Sequence, residues 1–194
     1  MAQKTIDLDT ELLTLPQDLR WREWMGRIEA VIFASSGPVS REDLSRIVGQ
    51  GVSVELLIED VQVELQGRPY DLVAVGGGWM FRTRPRFADV IRVTVDVTEQ
   101  LMDLNEFEAA VLAAIAYHQP LTREGLKDIF GKDISRDLIR RLRQRDLITT
   151  GPRSPRPGAP YTYVTTRQFL VAFDLQSLRD LPDREQLEDA GLAG

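Results

Sequence analysis

Apolar residues recur at helical spacing through most of this chain, and the period shortens to strand-like alternation in two places. Trp24, Ile28, Val31 and Ile32 share one face of a helix from Trp21 to Ala34. Leu44, Ile47 and Val48 form the stripe of a shorter helix, and Val54, Leu57, Ile58, Val61 and Leu65 mark a third. The apolar-rich segments Tyr70 to Val75 and Trp79 to Thr83 then predict two strands, joined at Gly76-Gly77-Gly78 as a hairpin. Pro85 to Arg92 predicts a short closing helix. The same order follows again. Phe107, Val111, Leu112 and Ile115 line one helix, Leu126, Ile129 and Phe130 a second, and Ile134, Leu138, Ile139 and Leu142 a third. Leu147 to Thr150 and Tyr161 to Thr165 predict strands around a Gly/Pro/Arg-rich loop, with a last short helix from Arg167 to Phe173.

The order repeats because the residues do. Pro38-Val39-Ser40-Arg41-Glu42-Asp43-Leu44-Ser45-Arg46-Ile47-Val48-Gly49 is echoed without a gap by Pro120-Leu121-Thr122-Arg123-Glu124-Gly125-Leu126-Lys127-Asp128-Ile129-Phe130-Gly131. In both copies proline punctuates a preceding helix, and Ser40 or Thr122 stands at an N-cap. Acidic residues follow in the first turn, favoured by the helix dipole. Gly49 and Gly131 are expected to end their helices in the left-handed conformation. Helix, short link, short helix, glycine turn and helix make the core of a helix-turn-helix. A trailing hairpin makes it a winged helix.

The repeat is too long in period for a solenoid. The predicted fold class is therefore mainly α with small β-wings, built as two tandem winged-helix (helix-turn-helix) domains. Residues 1–20 are expected as a flexible tail, 21–92 as the N-terminal domain, which dimerises, and 93–104 as a linker. Residues 105–182 form the C-terminal domain, which contacts a partner or DNA, and 183–194 an acidic tail.

Composition removes several classes of chemistry. There is no cysteine, hence no disulfide, thiolate nucleophile or cysteine–zinc site. His118 is the single histidine and stands at a helix end, too little for a zinc centre. Gly76-Gly77-Gly78 joins two strands and lacks the lysine of a phosphate cradle. The carboxylates follow helix surfaces and first turns rather than an apolar pocket. No enzyme activity, catalytic residue, metal or cofactor is expected. No run approaches the roughly 20 apolar residues of a membrane span, and the N-terminus lacks the pattern of a secretory signal.

The net charge of −6 is not that of a dedicated nucleic-acid binder, but the charge is unevenly placed. The helix after Gly49 carries Glu55, Glu59, Asp60 and Glu64, with no Lys or Arg between Val54 and Gln66. It would repel phosphates. Between Gly131 and Pro160 stand Lys132, Arg136, Arg140, Arg141, Arg143, Arg145, Arg153 and Arg156, against Asp133, Asp137 and Asp146. Arg136, Arg140, Arg143, Arg153 and Arg156 are the candidate nucleic-acid contacts. The competing readings are a solvated face with helical pairs such as Asp137–Arg141, and an acidic protein partner. The first helix carries more apolar surface than a small domain hides alone, so Trp24, Ile28, Val31 and Ile32 are candidate homodimer contacts. Trp21, Trp79, Phe33, Phe81 and Phe107 read more as core than as interface, although Trp21 and Phe33 also belong to the apolar circumference that prompts the dimer reading.

Three separated stretches resemble one family. Ile28 to Ser35 with Pro38 to Leu44, Ala113 to Arg123, and Tyr163 to Leu170 with Phe173, Leu175, Ser177-Leu178 and Leu181-Pro182 are similar to segregation and condensation protein B, from about Arg27 to Pro182. The segment Arg153 to Gly158 departs from the family pattern in lacking an acidic residue. The resemblance implies a non-catalytic accessory subunit of an SMC–kleisin (condensin-like) complex, acting in chromosome condensation and segregation. It also implies a homodimer formed largely through the N-terminal domain, and a cytoplasmic, nucleoid-associated location without membrane contact. The implied partners are the kleisin subunit, segregation and condensation protein A, and through it an SMC ATPase. The alternative is a tandem winged-helix DNA-binding transcriptional regulator whose second domain reads DNA.

Overall fold

The structure is a computed structural model that describes residues 8–94, 104–153 and 160–182. Its chain divides into two compact units, Met1–Val97 and Thr98–Gly194. Each is mainly helical with a small antiparallel sheet, and each has its own apolar core.

The N-terminal unit contains α1 (Gln17–Ala34), α2 (Arg41–Ser45), α3 (Val54–Glu64), the strands β1 (Tyr70–Val75) and β2 (Gly78–Thr83), a 3-10 turn (Pro85–Phe87) and α4 (Ala88–Thr94). Trp24, Met25, Ile28 and Ile32 of α1 meet Leu44, Val48, Leu57, Ile58 and Val61, with Leu72 of the hairpin closing the cluster. Strands β1 and β2 pair from Tyr70–Thr83 to Val75–Gly78. Gly76 and Gly77 stand at φ 58° and 71°, which a tight primed turn requires of both central residues. Val39 bridges Trp79, donating at 2.8 Å and accepting at 2.9 Å, and so ties the hairpin to the link before α2.

Two features differ from expectation. The stretch assigned to a flexible tail packs on the unit from Asp9 onward, and α1 begins at Gln17, a turn before Trp21. Leu12 enters the core, its N–H donating to Asp9 Oδ1 at 3.0 Å. Trp24 Nε1 donates to the Thr10 carbonyl at 2.8 Å, and the Gln50 N–H donates to Glu11 Oε1 at 2.8 Å. An apolar anchor with satisfied polar neighbours is enough to hold so short a strap. The second difference is at Gly49. Helix α2 ends at Ser45, and the left-handed residue of this turn is Gly51, at φ 76°. Gly49 is needed for another reason: a Cβ there would lie 2.7 Å from Trp24 Cζ2.

The C-terminal unit contains α5 (Glu106–His118), β3 (Leu121–Thr122), α6 (Arg123–Phe130), α7 (Arg136–Gln144), β4 (Ile148–Thr150), β5 (Thr162–Thr165), α8 (Arg167–Ala172) and a 3-10 turn (Leu178–Asp180). Its sheet runs β3-β5-β4, all antiparallel. Val111, Leu112, Ile115, Leu126, Ile134, Leu138, Leu142, Leu147 and Phe169 form the core. Here the glycine expectation describes the geometry: Gly131 caps α6 at φ 65°. Ile129, placed on the apolar stripe of α6 by its spacing, is 47% exposed instead. In α6 the buried side is carried by Leu126 with Phe130 half-buried, and Ile129 lies outside that narrow contact.

Candidate nucleic-acid and partner interfaces

Helix α7 is positioned at both ends and along one side. Ser135 Oγ caps it, accepting from the Leu138 N–H at 3.1 Å, and Leu138, Ile139 and Leu142 are buried in the unit's core. Arg136, Arg140 and Arg143, four and three residues apart, project from another side along one strip. With Ile139 and Gln144 they line a shallow depression of about 380 Å³. Arg140 pairs with Asp137 at 2.8 Å, both side chains 67% exposed. Such a pair is worth little and exchanges readily. Among the described residues, Arg136 and Arg143 have no carboxylate partner.

Arg141 behaves differently. The expected Asp137–Arg141 pair is replaced, because Asp137 takes Arg140 and Arg141 turns inward to α5. Arg141 Nε donates to Glu108 Oε1 at 2.7 Å. Glu108 is only 5% exposed and also completes the capping box of α5: its N–H donates to Asn105 Oδ1 at 2.9 Å, while Oε2 accepts from the Asn105 N–H at 3.2 Å. The Arg141 hydrogen bond, aided by that backbone donor, holds the Glu108 carboxyl below its ordinary range. This Arg, half-exposed, is therefore tied to α5 rather than left on the strip.

The loop after β4 adds Arg153, whose guanidinium stacks 3.6 Å from the Tyr161 ring centroid. Its stem is tight: the Gly151 N–H donates to the Thr162 carbonyl at 2.8 Å, and Thr162 Oγ1 donates to the Pro152 carbonyl at 2.7 Å. Arg156, the fifth expected contact, lies outside the described residues. Lys132 sits over the Phe107 ring at 3.9 Å.

On α3, Glu55 accepts from Arg41 Nε at 2.6 Å, and its carboxyl is held low by the backbone at the helix start and then by Arg41. Asp60 accepts from Trp21 Nε1 at 2.7 Å, and Glu64 stands 3.6 Å from Arg22. The exposed side of α3 carries these carboxylates together with Leu56 and Val63, 53% and 60% exposed.

Of the expected dimer contacts, Trp24, Ile28 and Ile32 are buried inside their own unit and Val31 is half-buried against the same core. The side chains of Trp24, Ile28 and Ile32 are occupied there, and Val31 is left partly exposed. On α1, Phe33, read from sequence more as core than as interface, is 83% exposed, and Leu19 in the first turn is 48% exposed. Its ring meets Phe81 at 6.5 Å, and Phe81 meets Tyr70 at 5.8 Å, both edge-on. Glu29, Ala30, Phe33, Tyr70, Phe81, Arg82 and Thr83 line a depression of about 490 Å³. Burial, with Glu64 nearby, raises the Glu29 carboxyl above its ordinary range. The helical period held the signal for Phe33: it falls opposite the face of Trp24, Ile28, Val31 and Ile32.

Among the described residues no group of three His, Asp or Glu side chains could hold a metal ion. No helix among them is long and apolar enough to cross a membrane.

The family model described as segregation and condensation complex subunit ScpB matches residues 26–184, and so runs through both units. The segregation and condensation protein B homolog of Coxiella burnetii is 30% identical over 167 residues, covering 84% of this chain and 79% of that protein. Segregation and condensation protein B of Desulforamulus reducens is 36% identical over 163 residues, covering 82% of this chain and 88% of that one. The crystal structure of ScpB from Mycobacterium tuberculosis is 27% identical, covers 79% of this chain and 96% of that chain, and has a TM-score of 0.36. With two cores, a repeated helical frame and a match spanning both, this chain belongs to the segregation and condensation complex subunit ScpB family.

Proposed function

We propose that this chain is a non-catalytic accessory subunit of an SMC–kleisin complex of the condensin type, acting in chromosome segregation and condensation. Each unit is a winged helix, the N-terminal one formed by α1–α3 with the β1–β2 wing and the C-terminal one by α5–α7 with the β4–β5 wing. The protein binds the kleisin as a homodimer. The observation that carries this reading is the family match over residues 26–184, which takes in both helical frames.

The dimer forms through the N-terminal unit, at the surface where Phe33 stands beside Tyr70 and Phe81. Exposed aromatics around a shallow depression supply the anchors that interfaces use. Burying a side chain such as Phe33 on association contributes about 1.5–3 kcal/mol before the entropy of association is counted. The kleisin is recognised as an amphipathic segment lying in an apolar groove.

Co-expression with the kleisin encoded by the same genome, followed by light scattering on the purified product, tests the reading. A stable complex of a dimer of this chain with the kleisin is the expected outcome. A chain that purifies alone under these conditions rejects it.

A further inference from the structure

We infer that the arginine strip of α7, in the unit whose wing also carries Arg153, is a binding site for the phosphate backbone of duplex DNA. The inference rests on the geometry of α6, Gly131 and α7, and requires no kleisin.

The strip is a choice of this sequence rather than a requirement of the frame. Ser53 and Ser135 are the N-caps of α3 and α7, each following its repeated glycine by the same interval. Counted from these caps, Arg136, Arg140 and Arg143 stand where α3 has Val54, Ile58 and Val61, all buried. The C-terminal helix is rotated by about one residue's turn on its core, so that positions buried in one unit face solvent in the other. The side so exposed carries Arg136, Arg140 and Arg143, with Gln144 beside them and Asp137 paired to Arg140.

The chemistry suits phosphate. The second helix of a helix-turn-helix is the element that meets the groove and its flanking phosphates. From Arg136 to Arg143 is about 10 Å of helix, while duplex DNA presents one charge per about 1.7 Å of axis, so three guanidiniums have more phosphates in reach than they need. Each guanidinium can hold a phosphate through a pair of donors. Arg140 gives up only an exposed pair with Asp137, and Asp133 is already matched by Lys127 at 3.4 Å. Arg153 is braced by Tyr161 at a stem where Gly151 leaves no space, a Cβ there falling 2.7 Å from Val164 Cγ1. An acidic protein segment is the competing occupant. Such an interface wants a buried apolar centre, whereas this depression offers Ile139 alone among Arg136, Arg140, Arg143 and Gln144.

The test is fluorescence anisotropy of the full chain with a labelled duplex of mixed sequence, titrated with sodium chloride. With three phosphates engaged, affinity falls about fortyfold between roughly 50 and 200 mM salt, a logarithmic slope of about −2.7. An Arg136→Glu/Arg140→Glu/Arg143→Glu variant loses at least tenfold at about 50 mM salt and most of the slope. Circular dichroism confirms its folding, and an Arg136→Gln/Arg140→Gln/Arg143→Gln variant gives the same direction without reversed charge. Absence of wild-type binding at low salt overturns the inference, as does equal binding by wild type and both variants. A variant that keeps DNA but loses a co-purified kleisin overturns it in favour of an acidic protein surface. No kleisin is present in the DNA assay, so its failure leaves the condensin reading standing.

Discussion

Glu108 shows how one side chain ties two elements together. It closes the capping box of α5 and receives Arg141 from α7, while remaining almost inaccessible to water. Its carboxyl titrates below the ordinary value in the folded protein, chiefly because Arg141 donates to the charged form. A depressed folded value means that the stabilisation is fully present above the unfolded carboxylate range, about 4.3, and fades as pH falls through the lower folded value. Glu108→Gln keeps the cap acceptor and removes the charge. It is expected to lower stability by about 1–2 kcal/mol at neutral pH, and the difference from wild type should shrink as the pH falls below about 4. Urea unfolding at both pH values checks this. A pH-independent difference would mean that Glu108 acts through shape alone.

At the scale of elements, the paired glycines that close the repeated motif do unlike work. Gly131 is an end-of-helix residue at positive φ with open space around its missing Cβ. Gly49 has ordinary backbone geometry but lies against the ring of Trp24, which the Thr10 carbonyl holds in place. Alanine at Gly131 is expected to cost about 1 kcal/mol of backbone strain. Alanine at Gly49 must displace a buried indole or the strap that fixes it, at a cost of about 1–3 kcal/mol. Thermal unfolding followed by tryptophan fluorescence separates the two, since only Gly49→Ala should alter the native spectrum. An unchanged spectrum and melting temperature for Gly49→Ala would show that Trp24 yields freely.

At the scale of the whole molecule, the governing facts among the described residues are two separate cores and the exposed aromatic patch of the N-terminal unit. The core of the N-terminal unit uses Trp24, Ile28 and Ile32, and the proposed association therefore rests on Phe33 and its neighbours. Phe33→Asp is therefore expected to convert the proposed homodimer to a monomer in light scattering at micromolar concentration. Because Phe33 is outside the core, thermal stability should change by no more than about 0.5 kcal/mol beyond the loss of dimer linkage. A variant that remains dimeric would move the interface elsewhere on the unit.

Local rules were enough to locate most elements of this fold. Periodicity placed α1, α3, α5 and α7, the Ser40 and Thr122 caps marked the starts of α2 and α6, and the glycine run marked the first hairpin. The family was legible because three motifs in fixed order survive without any knowledge of packing. The arginines of the second unit were countable in the same way, since charge belongs to the residue. Packing decided which of these groups face water. Whether Arg141 joins the strip or pairs with Glu108 depends on a neighbour 33 positions away. Ile129 is as apolar as its buried neighbours, and only the rotation of its helix leaves it outside. The same rotation makes the face after Ser53 core and the face after Ser135 cationic surface, although both helices carry the same cap. The docking of residues 9–16 was equally out of reach, because a strap held by Leu12 and a few hydrogen bonds has no period of its own. Identity, charge and period are properties of the chain; which face is buried depends on tertiary contacts between residues far apart in it.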